Sequence, residues 1–107
     1  MPQAGEIWLA EISFTSGADS KIRPVLVLWT EAADAVVAAV TSASPRTKTD
    51  VALQDWAAAG LRVASTVRLS RLDCLEQILL RRRLGVLAET DASRVQHVWA
   101  NEIRLRF

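Results

Sequence analysis

A chain of 107 residues, half of them apolar, has length for one domain and one core. Its formal net charge of +1 argues against a dedicated duplex-DNA binder, where a strongly basic face is usual. Its single cysteine, Cys74, excludes an internal disulfide and every zinc motif built on cysteine pairs, and fits a cytosolic setting.

The opening MPQAGEIW has neither a basic nor an apolar segment of the kind a signal peptide needs. Residues Gly5 to Phe14 (GEIWLAEISF), rich in strand formers, predict the first strand. The turn-forming cluster at Thr15 to Ser20 predicts a loop. Pro24 to Trp29 (PVLVLW) is apolar on both faces, as in a strand covered on both sides, and is far short of the ~20 residues that span a bilayer. TEAADA is a brief helical turn or a wide hairpin loop. Val36 to Thr41 is a second buried strand, followed by the polar, basic loop TSASPRTKTD.

VALQDW reads as a short edge strand, and AAAGL as a turn around Gly60. In RVASTVRLSRLDCL, alternation sets Val63, Ser65, Val67 and Leu69 on one face and Thr66, Arg68 and Ser70 on the other. QILLRRRLGVL is a strand turning at its arginines or a short helix. The last segment predicts a helix capped by Thr90 or Asp91, with Val95, Val98, Trp99 and Ile103 on one side. Short strands followed by one helix predict a small, strongly bent antiparallel sheet or barrel with the helix packed on it.

Several chemistries lack their residues. There is no glycine-rich phosphate loop, no cluster with metal-ligand spacing, and the one histidine, His97, falls within the predicted helix. Cys74 reads as a buried small hydrophobe. Trp8, Trp29 and Trp99 read as core, which leaves Trp56 as the one tryptophan placed for base stacking. Basic charge is uneven: residues 1–50 hold four Lys or Arg against six acids, and residues 51–107 hold nine against six. What remains is a polar set at strand ends. Pro24 holds Arg23 extended, so Lys21 and Arg23 share a face. Thr41 and Ser42 close the neighbouring strand, and Thr66, Arg68 and Ser70 form a polar ribbon on a third. Guanidinium and hydroxyl groups gathered in this way suit a phosphodiester. The plain alternative is that Arg23 and Arg68 are solvated charges paired with Asp19 or Asp73.

The blocks GEIWLAEI, IRPVLVLW, VAAVTS, LRVASTVRLSRL and LRRRLGVL, in this order over nearly the whole chain, resemble the PemK/MazF family of toxins from bacterial toxin–antitoxin pairs. That resemblance implies an SH3-like small β-barrel with a C-terminal helix, spanning residues 1–107. It also implies a homodimer that cleaves single-stranded RNA in the cytoplasm without metal or cofactor. The 2′-hydroxyl would attack the adjacent phosphorus, leaving a 2′,3′-cyclic phosphate. The family's catalytic arginine before proline falls on Arg23 and its catalytic threonine on Thr41; a second functional arginine falls on Arg68. A groove lined by Lys21, Arg23, Arg46, Lys48 and Arg68 would take RNA, or the acidic segment of a cognate antitoxin. The PemK-like branch uses an aspartate two residues after its second arginine and a histidine near position 18, where this chain has Ser70 and Ala18. On this reading activity rests on Arg23 and Thr41. The alternatives are a catalytically silent binder of the same fold, or a gyrase-directed toxin acting through C-terminal Ile103, Leu105 and Phe107.

Overall fold

The computed structural model describes residues 1–13 and 20–107. Its strands are β1 (Glu6–Ser13), β2 (Ser20–Glu31), β3 (Asp34–Thr41), β4 (Asp50–Ala52), β5 (Thr66–Glu76) and β6 (Leu80–Val86), followed by helix α1 (Glu89–Glu102). The strands form one six-stranded antiparallel sheet in the order β4-β5-β3-β2-β1-β6. The position-18 alanine and the loop expected from Thr15 lie outside the described residues, and Ser20 opens β2.

The expected barrel is not closed: β4 and β6 are the two edges of an open sheet. The reason lies in the chain after β4. That strand is only three residues long, and the chain leaves it through a series of turns around Trp56 to Gly60. The last of these turns meets β6 by close backbone packing. Gly60, at φ +89°, lies so near that a Cβ on it would stand 2.1 Å from the Leu84 carbonyl oxygen. Only glycine combines that dihedral with that approach.

Both faces of the sheet are apolar at its centre, which explains the unalternating sequence of β2 and β3. On one face Leu26, Ala38, Val40, Val67 and Leu69 pack beneath α1, which contributes Val95, Val98, Trp99 and Ile103. On the other, Ala10, Val25, Val27, Val37 and Leu80 form a second cluster, on the face away from α1.

Local details depart from the sequence reading. TEAADA forms a two-residue hairpin turn in which Ala32 takes φ 51°, a conformation unusual for alanine. QILLRRRLGVL resolves into a 3₁₀ turn, Gln77–Leu79, and then β6. Val63 precedes β5 and is exposed, Cys74 is exposed within it, and Trp29 is 41% exposed with its ring edge-on to Trp99 at 6.0 Å. Trp56 is half-buried against the helix-side core, as expected of a packing residue and not of a stacking platform.

Neither Thr90 nor Asp91 caps α1; Ala88 holds the N-cap position without a side-chain bond. Asp91, fully buried, instead accepts the backbone N–H groups of Gln54 (3.0 Å) and Asp55 (2.8 Å). Arg94, one turn on, donates to the Ala52 carbonyl at 2.5 Å and to Asp91 at 3.2 Å. Two helix side chains thus fasten the edge strand β4 and the turn after it.

Candidate functional site

The face opposite the helix carries the polar set. In β2, alternation places Lys21 and Arg23 on the side of Val25 and Val27. Across the ladder Val25 pairs with Ala39, and the same register continued two steps sets Arg23 level with Thr41. Thr41 in turn pairs with Thr66, and Ala39 with Arg68. Alternation and register therefore set Arg23, Thr41, Thr66 and Arg68 on one face toward one end of the sheet.

The cleft itself is shaped by a bulge. Ala38 pairs with Leu72, yet the next residue of β3, Ala39, pairs with Arg68. Leu69, Ser70 and Arg71 are the extra residues of β5 between those pairs. Such a bulge re-aims side chains that a regular ladder would alternate. The Leu69 side chain is buried in the helix-side core, and its N–H donates to the Thr49 carbonyl at 3.0 Å. Arg71 reaches a cleft of about 250 Å³ floored by Ala39 and walled by Thr41, Ala43, Ser44, Arg46, Asp50 and Arg68.

Asp50 organises this cleft, and the sequence reading overlooked it. Its side chain is 1% exposed, and Oδ1 accepts the Arg68 Nε–H at 3.2 Å. Oδ2 accepts the backbone N–H of Arg46 at 2.9 Å. Burial alone would raise the carboxyl's pKa; the Arg46 N–H and the Arg68 guanidinium outweigh it and hold Asp50 below the ordinary aspartate value. Asp50 is therefore a fixed anion, unsuited to take up a proton near neutral pH. Arg68 pairs with Asp50, not with Asp73.

Thr41 Oγ1 accepts the Ala43 N–H at 3.2 Å, which fixes the oxygen and leaves the hydroxyl proton available to a ligand. Arg46 and Lys48 are exposed on the loop after β3, but only Arg46 lines the cleft. Lys21, Ser42 and Arg23 are exposed outside its lining. Thr66 is 3% exposed because β4 pairs beside it, and Ser70 sits on the bulge outside the lining, so neither presents the polar ribbon read from the sequence.

Several other arginines are committed elsewhere. Arg81 pairs with Glu11 at 2.9 Å and Arg83 with Glu6 at 2.7 Å, which ties β6 to β1. Glu6 also accepts from Trp8 Nε1 and the Gln3 N–H, and these contacts together hold it below the ordinary glutamate value against its partial burial. Among the described residues no three His, Cys, Asp or Glu side chains gather as a metal site would require, and no helix is long and apolar enough to cross a membrane. His97 lines a second depression, which Asp50 also borders, between β4 and α1, and its ring nitrogen lies 3.4 Å from Asn101 on the same helix.

The fold has close counterparts among solved structures. An endoribonuclease from a mycobacterial species, in complex with its cognate antitoxin, superposes with a TM-score of 0.75 at 17% identity, covering 100% of this chain and 99% of that one. The toxin MazF-mt6 of Mycobacterium tuberculosis gives 0.73 at 24% identity over 90% and 93%. The MazE–MazF structure of Deinococcus radiodurans gives 0.68 at 22% over 92% and 94%. A comparison with curated protein sequences finds no match. The sequence matches the family of PemK-like, MazF-like toxins of type II toxin–antitoxin systems over residues 3–100. A match across that much of the chain settles its membership: this protein is a MazF-like toxin of a type II toxin–antitoxin system.

Proposed function

We propose that this toxin, acting as one domain over residues 1–107, cleaves single-stranded RNA in the cytoplasm at selected sequences. The observation that carries the reading is the cationic cleft on the helix-free face, in which Thr41, Arg46, Arg68 and Arg71 converge beside Asp50. RNA brings its own nucleophile. The 2′-oxygen forms a bond to the adjacent phosphorus, the bond from phosphorus to the 5′-oxygen breaks, and the products are a 2′,3′-cyclic phosphate and a 5′-hydroxyl. The 2′-hydroxyl loses its proton and the departing 5′-oxygen gains one. No redox partner is needed, and a metal is not required by this chemistry.

In this reading Arg23 and Arg68 hold the charge that grows on the phosphoryl oxygens, and Thr41 donates to one of them. A guanidinium whose ordinary pKa is above ~12 is a poor proton acceptor, so charge stabilisation is the role that suits Arg23. Lys21, Ser42, Arg46 and Lys48 border the same end of the sheet and track the flanking backbone. The cognate antitoxin, through an acidic segment, competes for this surface, and the toxin works as a homodimer. Incubation of single-stranded RNA with the protein in EDTA tests the reaction. Discrete fragments ending in cyclic phosphate are expected, with none from the same sequence in 2′-deoxy form. Cleavage of the deoxy strand, or fragments with 5′-phosphate, would contradict the mechanism.

A second reading rests on the exposed C-terminal Leu105 and Phe107, 76% and 102% accessible. They suit a protein target such as gyrase. Inhibition of supercoiling with no RNA cleavage would favour it, or a silent binder of the same fold if neither activity appears.

A further inference from the structure

An anion-binding cleft that contains a buried carboxylate poses a problem, because the carboxylate's charge opposes the ligand. Its presence calls for something it orders. Asp50 touches two separate parts of the cleft wall: the Arg68 side chain on β5 at 3.2 Å and the Arg46 backbone on the preceding loop at 2.9 Å. The loop is drawn in further by the Asp50 N–H, which donates to the Thr47 carbonyl at 3.1 Å, and by Leu69 N–H on Thr49. Asp50 pairs directly across from Arg68 in the β4–β5 ladder, so the contact is built into strand register and not left to two wandering side chains. It takes only the Nε–H of Arg68, which leaves both terminal nitrogens of the guanidinium to the cleft.

We infer that Asp50 is a positioning residue: it aims the terminal nitrogens of Arg68 at the reacting phosphate and holds the Arg46 loop against them. The inference rests on the ribonuclease reading for what it serves, while the contact itself can be judged without cleavage. A residue that merely balances charge and one that merely stabilises the fold give different signatures from this one.

The experiment compares Asp50→Asn and Asp50→Glu with the unaltered protein in cleavage kinetics, in binding of a 2′-deoxy strand, and in the ¹H–¹⁵N signal of Arg68 Nε. Asn retains the size but removes the charge, and its one oxygen can face only one of the two donors, so the charge-assisted bond to Arg68 Nε–H is lost in either orientation. A misplacement of this kind is expected to lower kcat by about a hundredfold, while the deoxy strand binds as tightly or more tightly because a negative charge has gone. The Arg68 Nε–H signal, expected to be shifted and protected in the unaltered protein by its bond to Asp50, should move to the position of a solvated arginine. Glu retains the charge but displaces the carboxylate by one methylene, and recovers part of the Nε signal and part of kcat. An unchanged kcat with tighter binding would reduce Asp50 to a charge and overturn the inference. So would an unchanged Nε signal in Asp50→Asn. Should Asp50→Asn fail to fold, Asp50→Glu carries the same comparison, and full kcat there overturns the inference. If the unaltered protein cleaves no RNA, the ribonuclease reading falls alone, and the Nε signal still decides whether Asp50 holds Arg68.

Discussion

The two faces of this sheet are built from the same strands and treated in opposite ways. Beneath α1 the sheet is apolar: Leu26, Val40, Val67 and Leu69 cluster with Val95 and Trp99, and the polar Asp91 is there to fasten the turn after β4. On the far face the cluster around Val25, Val27 and Val37 runs out toward one end into Thr41, Arg68 and the Asp50 cleft. The difference shows how a small domain divides its labour. One face is covered and supplies stability, and the other is left open at one end and supplies polar groups on a stiff backbone. The helix-side contacts position the site only indirectly, by fixing β4 and hence Asp50.

Disturbing the covered side should change stability strongly and chemistry only through it. Gly60→Ala puts a Cβ 2.1 Å from the Leu84 carbonyl oxygen at a φ of +89°. Backbone strain and displacement of β6 together should cost about 3–4 kcal/mol, read as a fall in the urea midpoint. A loss below about 1 kcal/mol would show that the turn and β6 separate easily. Asp91→Ala strips the Gln54 and Asp55 N–H groups of their acceptor and releases Arg94, for about 2–3 kcal/mol. Amide exchange should then accelerate around β4 and the turn after it, and an unchanged rate there would contradict the fastening role.

Acid should loosen the open side. Asp50 and Glu6 both have lowered pKa values in the folded protein. Their contribution is therefore complete above the ordinary carboxylate range near 4 and is lost as pH falls through the lowered values. The urea midpoint should decline on that acidic side, and Asp50→Asn should flatten part of the decline. An identical profile in the variant would remove Asp50 from the account. The smallest effect belongs to neither face. Ala32→Gly relieves the φ of 51° in the hairpin and should stabilise by roughly 0.5–1 kcal/mol.

Much of this was written locally in the chain. Alternation within β2 and β5 placed Arg23 and Arg68 on defined faces, and the apolar runs of β2 and β3 announced a sheet covered at its centre on both sides. The rest depends on contacts between distant segments. Asp50 carries no local mark of its role, since its partner is set by β4–β5 register. Arg71 enters the cleft because three residues bulge out of a ladder, which sequence alternation cannot show. Thr66 looked like part of a polar ribbon until β4 closed beside it, and the barrel failed to close because a turn, not a strand, meets β6.

The central claim is that the helix-free face does the chemistry. The most direct test compares Arg68→Ala with Arg104→Ala, each removing one positive charge, the first from the cleft and the second from the chain beyond α1. RNA cleavage should fall by about two to three decades in the first and hold steady in the second, with both proteins folded. Equal losses would mean that net charge, not this cleft, governs the activity, and full activity in Arg68→Ala would place the site elsewhere.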